Sequence, residues 1–425
     1  MENSSTSNAK RAAACLLGLV VLVQPVLPPV AEAYVLNRNI AFNGSCPVPQ
    51  RWATTAGNVD RRWSTSLPAA TNVLTNVAAV PGDTVTSQID RAIRNSFDVW
   101  TSVDTPAGTS LTPASLNSLS QTAAQNICDP QDGLNSICFN QSNSAFSGGI
   151  LAFTIAISWD QASVLAPTPC VAPCHQRLTS IIGEIVDADV YFRNDGTATF
   201  ATREALAANP NSFDLESVLI HELGHFFGFS HSAVQRAMMY PFASKGAALG
   251  GVRCTSSTLP PNPPNPPCDL PLADDDRAGL RVLYPNPADP NVGTISGFIL
   301  PANPLSLAGL PSATAGKPQP PRPITGIFGA HVVAVDAATG AVVAGTLGGW
   351  SCNSSNLPSQ FDGFYKIEGL PVNRSYKIFV EPLDSPTDST NISNAISALC
   401  SQNTTNDVCT PPAVNTVFTT KIKPQ

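Results

Sequence analysis

Three histidines within eleven residues constrain this chain more than any other feature of its sequence. His221 and His225 are four residues apart, and His231 follows after Gly228. In a helix, residues at i and i+4 share one face, so the first two imidazoles point the same way. Gly228 can adopt a positive φ, which ends a helix and turns the chain back. We therefore predict a helix that ends at Gly228 and a turn that returns His231 to the other two rings.

The residues before His221 favour the same helix. An apolar run leads up to the histidine, and Asn211 and Ser212 are residue types that often cap a helix, so we expect the helix to begin near Phe213. The alternative is a buried helix with incidental histidines. Three of the five histidines in the chain fall in this one pattern, which favours a shared role.

Converging imidazoles beside a carboxylate match the ligand set of a catalytic zinc ion. Catalytic zinc sites use three protein ligands and leave the fourth position to water. Glu222 follows the first histidine directly, where it is better placed as a base than as a ligand. We therefore expect His221, His225 and His231 to bind zinc. Glu222 is expected to activate the zinc-bound water for attack on a peptide carbonyl.

The complete pattern, His-Glu-x-x-His-x-x-Gly-x-x-His with a later methionine, resembles the metzincin signature. Met239 is similar to the methionine of the family's Met-turn, which lies under the metal. Ser232 after the third histidine resembles the matrixin branch, and residues 272–284 look like the closing helix of a matrixin catalytic domain. The resemblance covers residues 51–284. It implies an α+β zincin fold, in which a twisted mixed sheet carries the active-site helix.

The resemblance also implies roles for residues around the centre. Tyr240 and Pro241 would form the wall of the main specificity pocket. A strand predicted at 148–156 would be the sheet edge above the cleft, and a protein or peptide substrate could add to its free backbone groups. Phe153 stands where many animal matrixins have a histidine of a second, structural zinc. No second zinc site is therefore expected there.

Other candidate ligands have weaker support in the sequence. Calcium is an alternative for three carboxylates, although solvated or capping side chains are favoured: Asp187, Asp189 and Asp195. An exposed loop histidine is the favoured interpretation of His175. Cys46 has the cysteine and proline spacing of a latency switch but lacks its glycine and aspartate, so a disulfide or a free thiol is favoured.

The first 33 residues have the order of a secretory signal. Lys10 and Arg11 precede an apolar run at 12–23 that is too short to span a membrane, and an Ala-x-Ala pattern ends at Ala33. We expect cleavage after Ala33, export of the chain and no stable membrane span afterwards. An uncleaved anchor is the alternative. The sequence leaves open whether export ends in the medium, a periplasm or a cell surface.

Cysteine content agrees with export. Removal of the leader takes away Cys15 and leaves ten of the eleven cysteines, an even number that favours disulfides. Proximity in sequence suggests the following pairs, although connectivity does not follow from sequence: Cys128–Cys138, Cys170–Cys174, Cys254–Cys268 and Cys400–Cys409, which leaves Cys46 with Cys352.

Length and composition predict more than one domain, because 425 residues are enough for about two or three. The predicted units are the signal at 1–33, a short segment at 34–50, the zinc-peptidase domain at 51–284, a linker at 285–293 and an all-β region at 294–425. The predicted elements of the peptidase domain are a first strand at 51–68, a helix at 84–103, a polar insertion at 105–147, and strands at 148–156 and 184–192.

The C-terminal region reads as short strands joined by turns. The runs at 329–340 and 362–382 resemble the carboxypeptidase-regulatory-like, or transthyretin-like, β-sandwich. Such domains generally act as spacers or adhesive modules, so contact with a surface or polymer is the expected role. His331 is expected to be packed or exposed, and not catalytic.

Together these observations predict a secreted zinc endopeptidase of matrixin type. A surface-binding or adhesive protein with a residual metal site is the alternative, and the intact Glu222 disfavours it. An enzyme of another mechanism is also disfavoured, because the chain has no Gly-x-Ser-x-Gly elbow. A net charge of −7 and the absence of a basic run argue against nucleic acid as a partner.

Overall fold

A computed structural model gives the positions of part of the chain. The described residues are 15–20, 36–37, 49–52, 54–55, 58–59, 63–64, 77–78, 81, 85–101, 135–141, 146, 148–158, 163–164, 179–180, 183–234, 237–246, 272–284, 292–300, 326–327, 330–348, 351–352, 358–360, 363–382 and 421–422.

These residues form three α-helices, α1 (Val85–Thr101), α2 (Leu215–Phe227) and α3 (Asp274–Leu283). The strands that precede α3 are β1 (Cys15–Val20), β2 (Thr54–Thr55), β3 (Asn58–Val59), β4 (Trp63–Ser64), β5 (Val77–Ala78), β6 (Asn135–Gln141), β7 (Ile150–Ser158), β8 (Ser163–Val164), β9 (Thr179–Ser180), β10 (Ile185–Arg193), β11 (Phe200–Ala201) and β12 (Phe213–Asp214). The strands that follow α3 are β13 (Val292–Phe298), β14 (His331–Asp336), β15 (Val342–Leu347), β16 (Ser351–Cys352), β17 (Pro358–Gln360), β18 (Phe364–Pro371), β19 (Tyr376–Glu381) and β20 (Lys421–Ile422).

The main sheet has the order β1-β7-β10-β6-β4. Strand β7 runs antiparallel to β10, whereas β10, β6 and β4 are parallel to one another. A mixed sheet with a few helices agrees with the α+β class expected for this part of the chain. The strands predicted at 148–156 and 184–192 form β7 and β10, because their continuous apolar runs are buried within this sheet.

Strand β6 corrects the predicted polar insertion at 105–147. Residues 135–141 lie inside the sheet, between β10 and β4. Ile137 and Phe139 are buried, and the ring of Phe139 lies 5.3 Å from that of Phe192. The polar ends of the strand are used as well, since Asp189 Oδ1 accepts a hydrogen bond from the backbone N–H of Ser136 at 2.8 Å. The polar surroundings in the sequence therefore concealed a core strand.

One further prediction about the sheet was wrong. The described parts of 51–68 form three two-residue strands instead of one, and β2 pairs with β3 as a small hairpin. The outer edge of β7 is paired antiparallel with β1 from Cys15 to Val20, which lies within the predicted leader, so the free edge of the chain without its leader stays a prediction. An apolar segment in extended form can satisfy the exposed N–H and C=O groups of a sheet edge, which accounts for this pairing.

Helix α1 matches the helix predicted at 84–103. Ile89, Ile93, Phe97 and Trp100 recur at three- and four-residue steps and are buried. This apolar face packs on α2, where Trp100 Nε1 donates to the carbonyl of Ile220 at 2.7 Å and its ring lies 5.0 Å from that of Phe229. Large buried rings therefore pack α1 against helix α2, which carries His221 and His225.

The described strands after α3 form three sheets, of which the smallest pairs β16 with β17 and the other two share a core. One has the order β15-β14-β19-β20, and the other pairs β13 with β18. Val332 and Ala334 of the first sheet and Ile367 and Leu370 of the second share a core cluster with residues of α2 and α3. Val292 and Gly293 already belong to β13, so the predicted linker at 285–293 is shorter than expected.

A close backbone contact joins this region to the rest of the molecule. Gly369 has φ +72, and a Cβ added there would meet the carbonyl oxygen of Ala278 in α3 at 2.5 Å. Arg281 of the same helix donates to the carbonyl of Gly369 at 3.4 Å. The C-terminal strands therefore pack directly on α3.

Several sequence predictions concern residues outside the described part of the chain. They include the cleavage site at Ala33, the candidate switch at Cys46, the loop histidine His175, and most of the proposed cysteine pairs. Cys138 is disulfide-bonded, and its expected partner, Cys128, lies outside the described residues. Among the helices described, none combines the length and the apolar character needed to cross a bilayer.

Candidate metal centre

The active-site helix α2 begins two residues later than predicted. Phe213 and Asp214 are paired with β11 as β12, so Asn211 and Ser212 lie too far upstream to cap the helix. Asp214 is the N-cap, and its carboxylate accepts from the backbone N–H of Ser217 at 3.1 Å. Arg203 pairs with the same carboxylate at 2.6 Å. Capping and charge pairing thus fix the start of the helix that carries His221.

The end of α2 turns the chain as expected for a glycine. Gly228 has φ +106 and its N–H bonds the carbonyl of His225 at 3.0 Å. A Cβ at this position would collide with the carbonyl oxygen of Gln50, so the neighbouring segment also requires glycine. Asn37 covers the turn, since its N–H donates to Gly228 O and its side chain donates to Phe229 O, each at 2.8 Å.

This turn brings the third histidine to the first two. The ring centroids of His221 and His225 are 4.9 Å apart, and that of His231 lies 5.3 Å from His221 and 4.8 Å from His225. All three side chains are buried, and their ligand atoms lie within 4.8 Å of one another. Among the described residues, this is the one group of three or more His, Cys, Asp or Glu side chains with such geometry.

Backbone carbonyls orient two of the rings. His221 Nδ1 lies 2.7 Å from Met238 O, and His225 Nδ1 lies 2.8 Å from Phe229 O. A carbonyl can only accept, so each Nδ1 must carry the proton, and each Nε2 presents its lone pair. The Nε2 atoms of both rings are buried and have no hydrogen-bond partner. Phe229 O serves His225 and Asn37 together, which ties the segment at 36–37 to the orientation of this ring.

Burial keeps these two imidazoles neutral. It lowers the pKa of His221 to about 3, with the nearby His231 as the second cause and the Met238 hydrogen bond opposing both. Burial also lowers the pKa of His225 well below its usual value, again with help from the other two rings. The neutral imidazole is the form that binds a metal. Both rings therefore offer a neutral nitrogen, as metal binding requires.

The chain after the third histidine folds back so that Met239 packs against helix α2. Met239 is fully buried, and its carbonyl accepts from the N–H of Ser232 at 2.8 Å. A Cβ at Gly224, inside α2, would overlap the sulfur of Met239. Glycine is a poor helix former, so a glycine inside α2 needs an explanation. The close approach of Met239 to the helix supplies it, because no larger residue would fit at position 224. Tyr240 and Pro241 follow directly, and the rest of the expected pocket wall at 247–271 lies outside the described residues.

A buried carboxylate of α3 holds this loop in place. Asp276 accepts from the N–H of Met238 at 2.8 Å, of Met239 at 3.3 Å and of Ala273 at 2.9 Å. Burial raises the pKa of Asp276 to about 6, although these three hydrogen bonds act in the opposite direction. Because Met238 also presents its carbonyl to His221, Asp276 supports the orientation of that ring through one intervening residue.

Glu222 follows His221 in α2, and its side chain is also buried. Thr154 Oγ1 lies 2.7 Å from Glu222 Oε2, while Oε1 is buried and has no hydrogen-bond partner. Burial raises the pKa of Glu222 to about 8, and the Thr154 hydrogen bond partly offsets this effect. A nearby cation would favour the ionised form instead.

The donor set fits a zinc ion by its own chemistry. The two orphaned Nε2 atoms would each cost free energy if they met no partner, because buried polar atoms are normally satisfied. Zinc accepts imidazole nitrogen in tetrahedral sites, and three histidines are a known catalytic set. The three imidazoles can therefore bind a divalent ion together.

The other candidate ligands are not part of such a group. Asp195 is engaged by Arg193 at 3.0 Å and by Thr197 at 2.5 Å. Burial acts against the ionised form of Asp195, but the Thr197 and Arg193 interactions outweigh it and lower the pKa to about 2. Within the described residues, no metal-binding group includes Asp187, Asp189 or Asp195. Phe153 packs in a ring cluster and lies stacked on Tyr191 at 4.8 Å.

Sequence reasoning missed four residues that build the centre: Thr154, Asn37, Gly224 and Asp276. Gly224 gave a signal, since a glycine inside a strongly predicted helix usually has a packing reason. Asp276 stood in a run of three aspartates at a helix start, where an inward role was not distinguishable from charge at a helix N-terminus. Thr154 and Asn37 gave no local signal, because their partners are distant in sequence.

Comparison with known proteins finds similar sequences for the segment that contains the three clustered histidines. Residues 158–249 match the Matrixin family. Metalloendoproteinase 1 of Glycine max is 35% identical over 98 residues, which is 23% of this chain and 24% of that protein. Metalloendoproteinase 5-MMP of Arabidopsis thaliana is 38% identical over 71 residues, or 17% of this chain and 14% of that protein. Matrix metalloproteinase-25 of Mus musculus is 29% identical over 99 residues, or 23% of this chain and 12% of that protein.

The chain thus matches a quarter or less of the length of these relatives. The matched family segment contains Glu222, all three clustered histidines and Met239. This segment is similar in sequence to matrixin-type metalloproteases.

Proposed function

We propose that this protein is a zinc-dependent endopeptidase that hydrolyses peptide bonds in proteins. The observation that carries the proposal is the convergence of the ligand atoms of His221, His225 and His231 within 4.8 Å of one another, with the buried Glu222 directly after His221 in α2. The match of residues 158–249 to the Matrixin family supports the same conclusion.

The three imidazoles would hold the ion through ring nitrogens, with Met239 beneath the site. When bound, zinc supplies a Lewis acid that lowers the pKa of water to about 7 and polarises a substrate carbonyl. Glu222 takes the proton from the attacking water at Oε1 and then passes it to the leaving amine. The buried walls exclude bulk water, which strengthens these electrostatic effects.

A polypeptide substrate would approach along β7. The outer edge of this strand is where β1 pairs antiparallel, so the edge accepts an extended segment in that direction. A substrate strand would use the same backbone groups after the leader is removed. Tyr240 and Pro241 would line the pocket for one substrate side chain. Backbone pairing gives affinity with little sequence preference, which suits an endopeptidase with broad substrates.

The remaining parts of the proposal concern location and the C-terminal region. The leader at 1–33 supports export, and residues 294–425 would form a carboxypeptidase-regulatory-like β-sandwich. The two larger C-terminal sheets, which share a core cluster, support the latter. We assign this region a role in contacting a surface or polymer, and no chemistry.

The test is the pair Glu222→Gln and Glu222→Ala in the full exported chain. Both variants should keep one zinc per chain and lose casein or gelatin cleavage by about 100- to 10,000-fold, because the general base is gone. Glu204→Gln, at an exposed position, is the matched control and should cleave normally. Zinc content is measured by elemental analysis of the same samples.

Two results would contradict the proposal. A wild-type chain that holds one zinc and cuts neither substrate would exclude the endopeptidase function. Wild-type turnover in Glu222→Gln would exclude Glu222 as the base.

A further inference from the structure

One hydroxyl of the edge strand β7 lies against the carboxylate of Glu222. Thr154 is fully buried, and its Oγ1 lies 2.7 Å from Glu222 Oε2 and 3.0 Å from the main-chain oxygen of the same residue. A threonine hydroxyl has one proton to donate. The shorter contact is the one to the carboxylate, and a hydrogen bond to a charged acceptor is the stronger of the two.

The two oxygens of Glu222 are therefore not equivalent. Oε2 accepts from Thr154, whereas Oε1 is buried and has no hydrogen-bond partner. A carboxylate that is held at one oxygen can still receive a proton at the other. Since Oε1 is the oxygen without a partner, it is the atom available to the attacking water.

The place of Thr154 follows from the alternation of β7. Successive side chains of a strand point to opposite faces. Phe153 and Ile155 belong to the ring cluster on one side, with Tyr191. Ala152 and Ala156, two residues before and after Thr154, belong to the main core that contains α2. Small alanines on both sides leave the helix close enough for the hydroxyl to reach Glu222.

We propose that Thr154 is a positioning residue, which holds Glu222 at Oε2 and so assigns Oε1 as the proton-accepting oxygen. The proposal rests on the proposed function, because only a peptidase of this kind uses Glu222 as a base. Thr154 lies outside the histidine motif, 68 residues before Glu222. Its contribution is geometric, since a glutamate side chain without the hydroxyl would regain rotamer freedom within the pocket.

Three substitutions at this position separate the hydroxyl from the rest of the side chain. Thr154→Val keeps the shape and removes the hydroxyl, Thr154→Ala removes both, and Thr154→Ser keeps the hydroxyl and removes the methyl group. Misplacement of a catalytic group by about 1 Å can cost about 100-fold, so Val and Ala should lower kcat by roughly 10- to 100-fold with little change in KM. Ser should stay within about threefold of wild type.

A second readout distinguishes positioning from a general loss of structure. In a Glu222→Gln background, Thr154→Val should cause no further loss, because the hydroxyl acts through the Glu222 carboxylate. Zinc content should be unchanged in every variant. Thr202→Val is the matched control, since Thr202 is also buried and its hydroxyl donates to Gln88 Oε1 at 3.2 Å, outside the centre. It should keep wild-type kcat.

Several outcomes would overturn this assignment. Wild-type kcat in Thr154→Ala is one, and a loss in Thr154→Ser as large as that in Thr154→Ala is another. A full additional loss in the Glu222→Gln background would show that Thr154 acts by a different route. If Thr154→Val fails to fold, the comparison of Ser with Ala decides alone. If the wild-type protein shows no cleavage that depends on Glu222, the endopeptidase proposal is overturned. If cleavage depends on Glu222 but does not change when the Thr154 hydroxyl is removed, only the proposed role of Thr154 is overturned.

Discussion

Buried histidines occur both in the metal centre and in the C-terminal sheets, and they differ in their surroundings. His225 presents Nδ1 to a backbone carbonyl at 2.8 Å and lies within 5 Å, centroid to centroid, of two other imidazoles. His331 begins β14, is 1% exposed, and places Nδ1 3.1 Å from Glu381 Oε1. Its Nε2 is also buried without a hydrogen-bond partner.

An orphaned imidazole nitrogen is therefore not sufficient to indicate a metal site. Three imidazoles that converge on one point can coordinate a single ion together. A single imidazole beside a carboxylate, as at His331 and Glu381, forms only a local polar pair. The comparison teaches that convergence, and not burial, distinguishes the metal centre in this molecule. His331 is packed, which was one of the two expected placements, and its lack of a catalytic role stays a prediction.

The largest expected effect separates the two kinds of histidine. His225→Ala should abolish tight zinc binding and cleavage, because only two ligands remain. His331→Ala should keep one zinc per chain and near-normal kcat/KM, and should lower only the unfolding midpoint. Elemental analysis and peptide cleavage on the same samples check both. Loss of zinc from His331→Ala would break the distinction.

An intermediate effect is expected from two aspartates that accept backbone N–H groups. Asp276 joins segments that are distant in sequence, whereas Asp336 accepts from Ala338 and Thr339 in its own turn. Asp276→Ala leaves three N–H groups without their acceptor, and each buried one costs about 1–3 kcal/mol, so the loss in unfolding free energy should be about 3 kcal/mol or more. Asp336→Ala should cost less.

Urea unfolding measures both aspartate variants, and zinc titration adds a second comparison. Zinc affinity should fall in Asp276→Ala, because the loop that orients His221 loses its support. It should not change in Asp336→Ala. Equal stability losses in the two variants would show that the long-range contact is no more important than the local turn.

The smallest effect concerns pH. Burial lowers the pKa of His331 below its usual 6.5, and Glu381 partly opposes this shift. Below pH 6.5 the unfolded chain therefore binds more protons at this residue than the folded chain, so stability falls as the pH falls through this range. Glu381→Gln removes the opposing group and should make the acid loss larger.

Unfolding free energies at several pH values between 7.5 and 5 check this sign, with His331→Phe as the variant that cannot titrate. All three proteins carry the same three-histidine centre, so its own acid sensitivity cancels in the differences. A smaller acid loss in Glu381→Gln than in wild type would contradict the assigned pairing.

The sequence predicted those elements whose residues are periodic. Apolar steps of three and four located α1, and continuous apolar runs located β7 and β10. The spacing of His221 and His225 and the position of Gly228 predicted the local fold of the site, because both depend only on residues a few positions apart. Interactions between neighbours in sequence were sufficient in each of these cases.

What the sequence did not predict depends on distant partners. Asn135–Gln141 looked like part of a polar insertion, and only its pairing with β10 makes it a core strand. The capping role of Asp214 depends on where β12 ends. The hydroxyl of Thr154 has meaning only once the sheet brings it to Glu222. Such contacts leave no periodic trace in a single sequence.

Helix α3 has a consequence for the independence of the two halves of the chain. Asp276 of this helix accepts a hydrogen bond from the backbone N–H of Met238, in the loop after the third histidine. Two residues later, Ala278 lies against the backbone of Gly369. A protease nick in the short connection after Tyr284 would consequently leave the two fragments associated, as in a noncovalent complex. The C-terminal strands thus support the part of the chain that carries the three histidines, and cutting the connection would not be enough to separate the two.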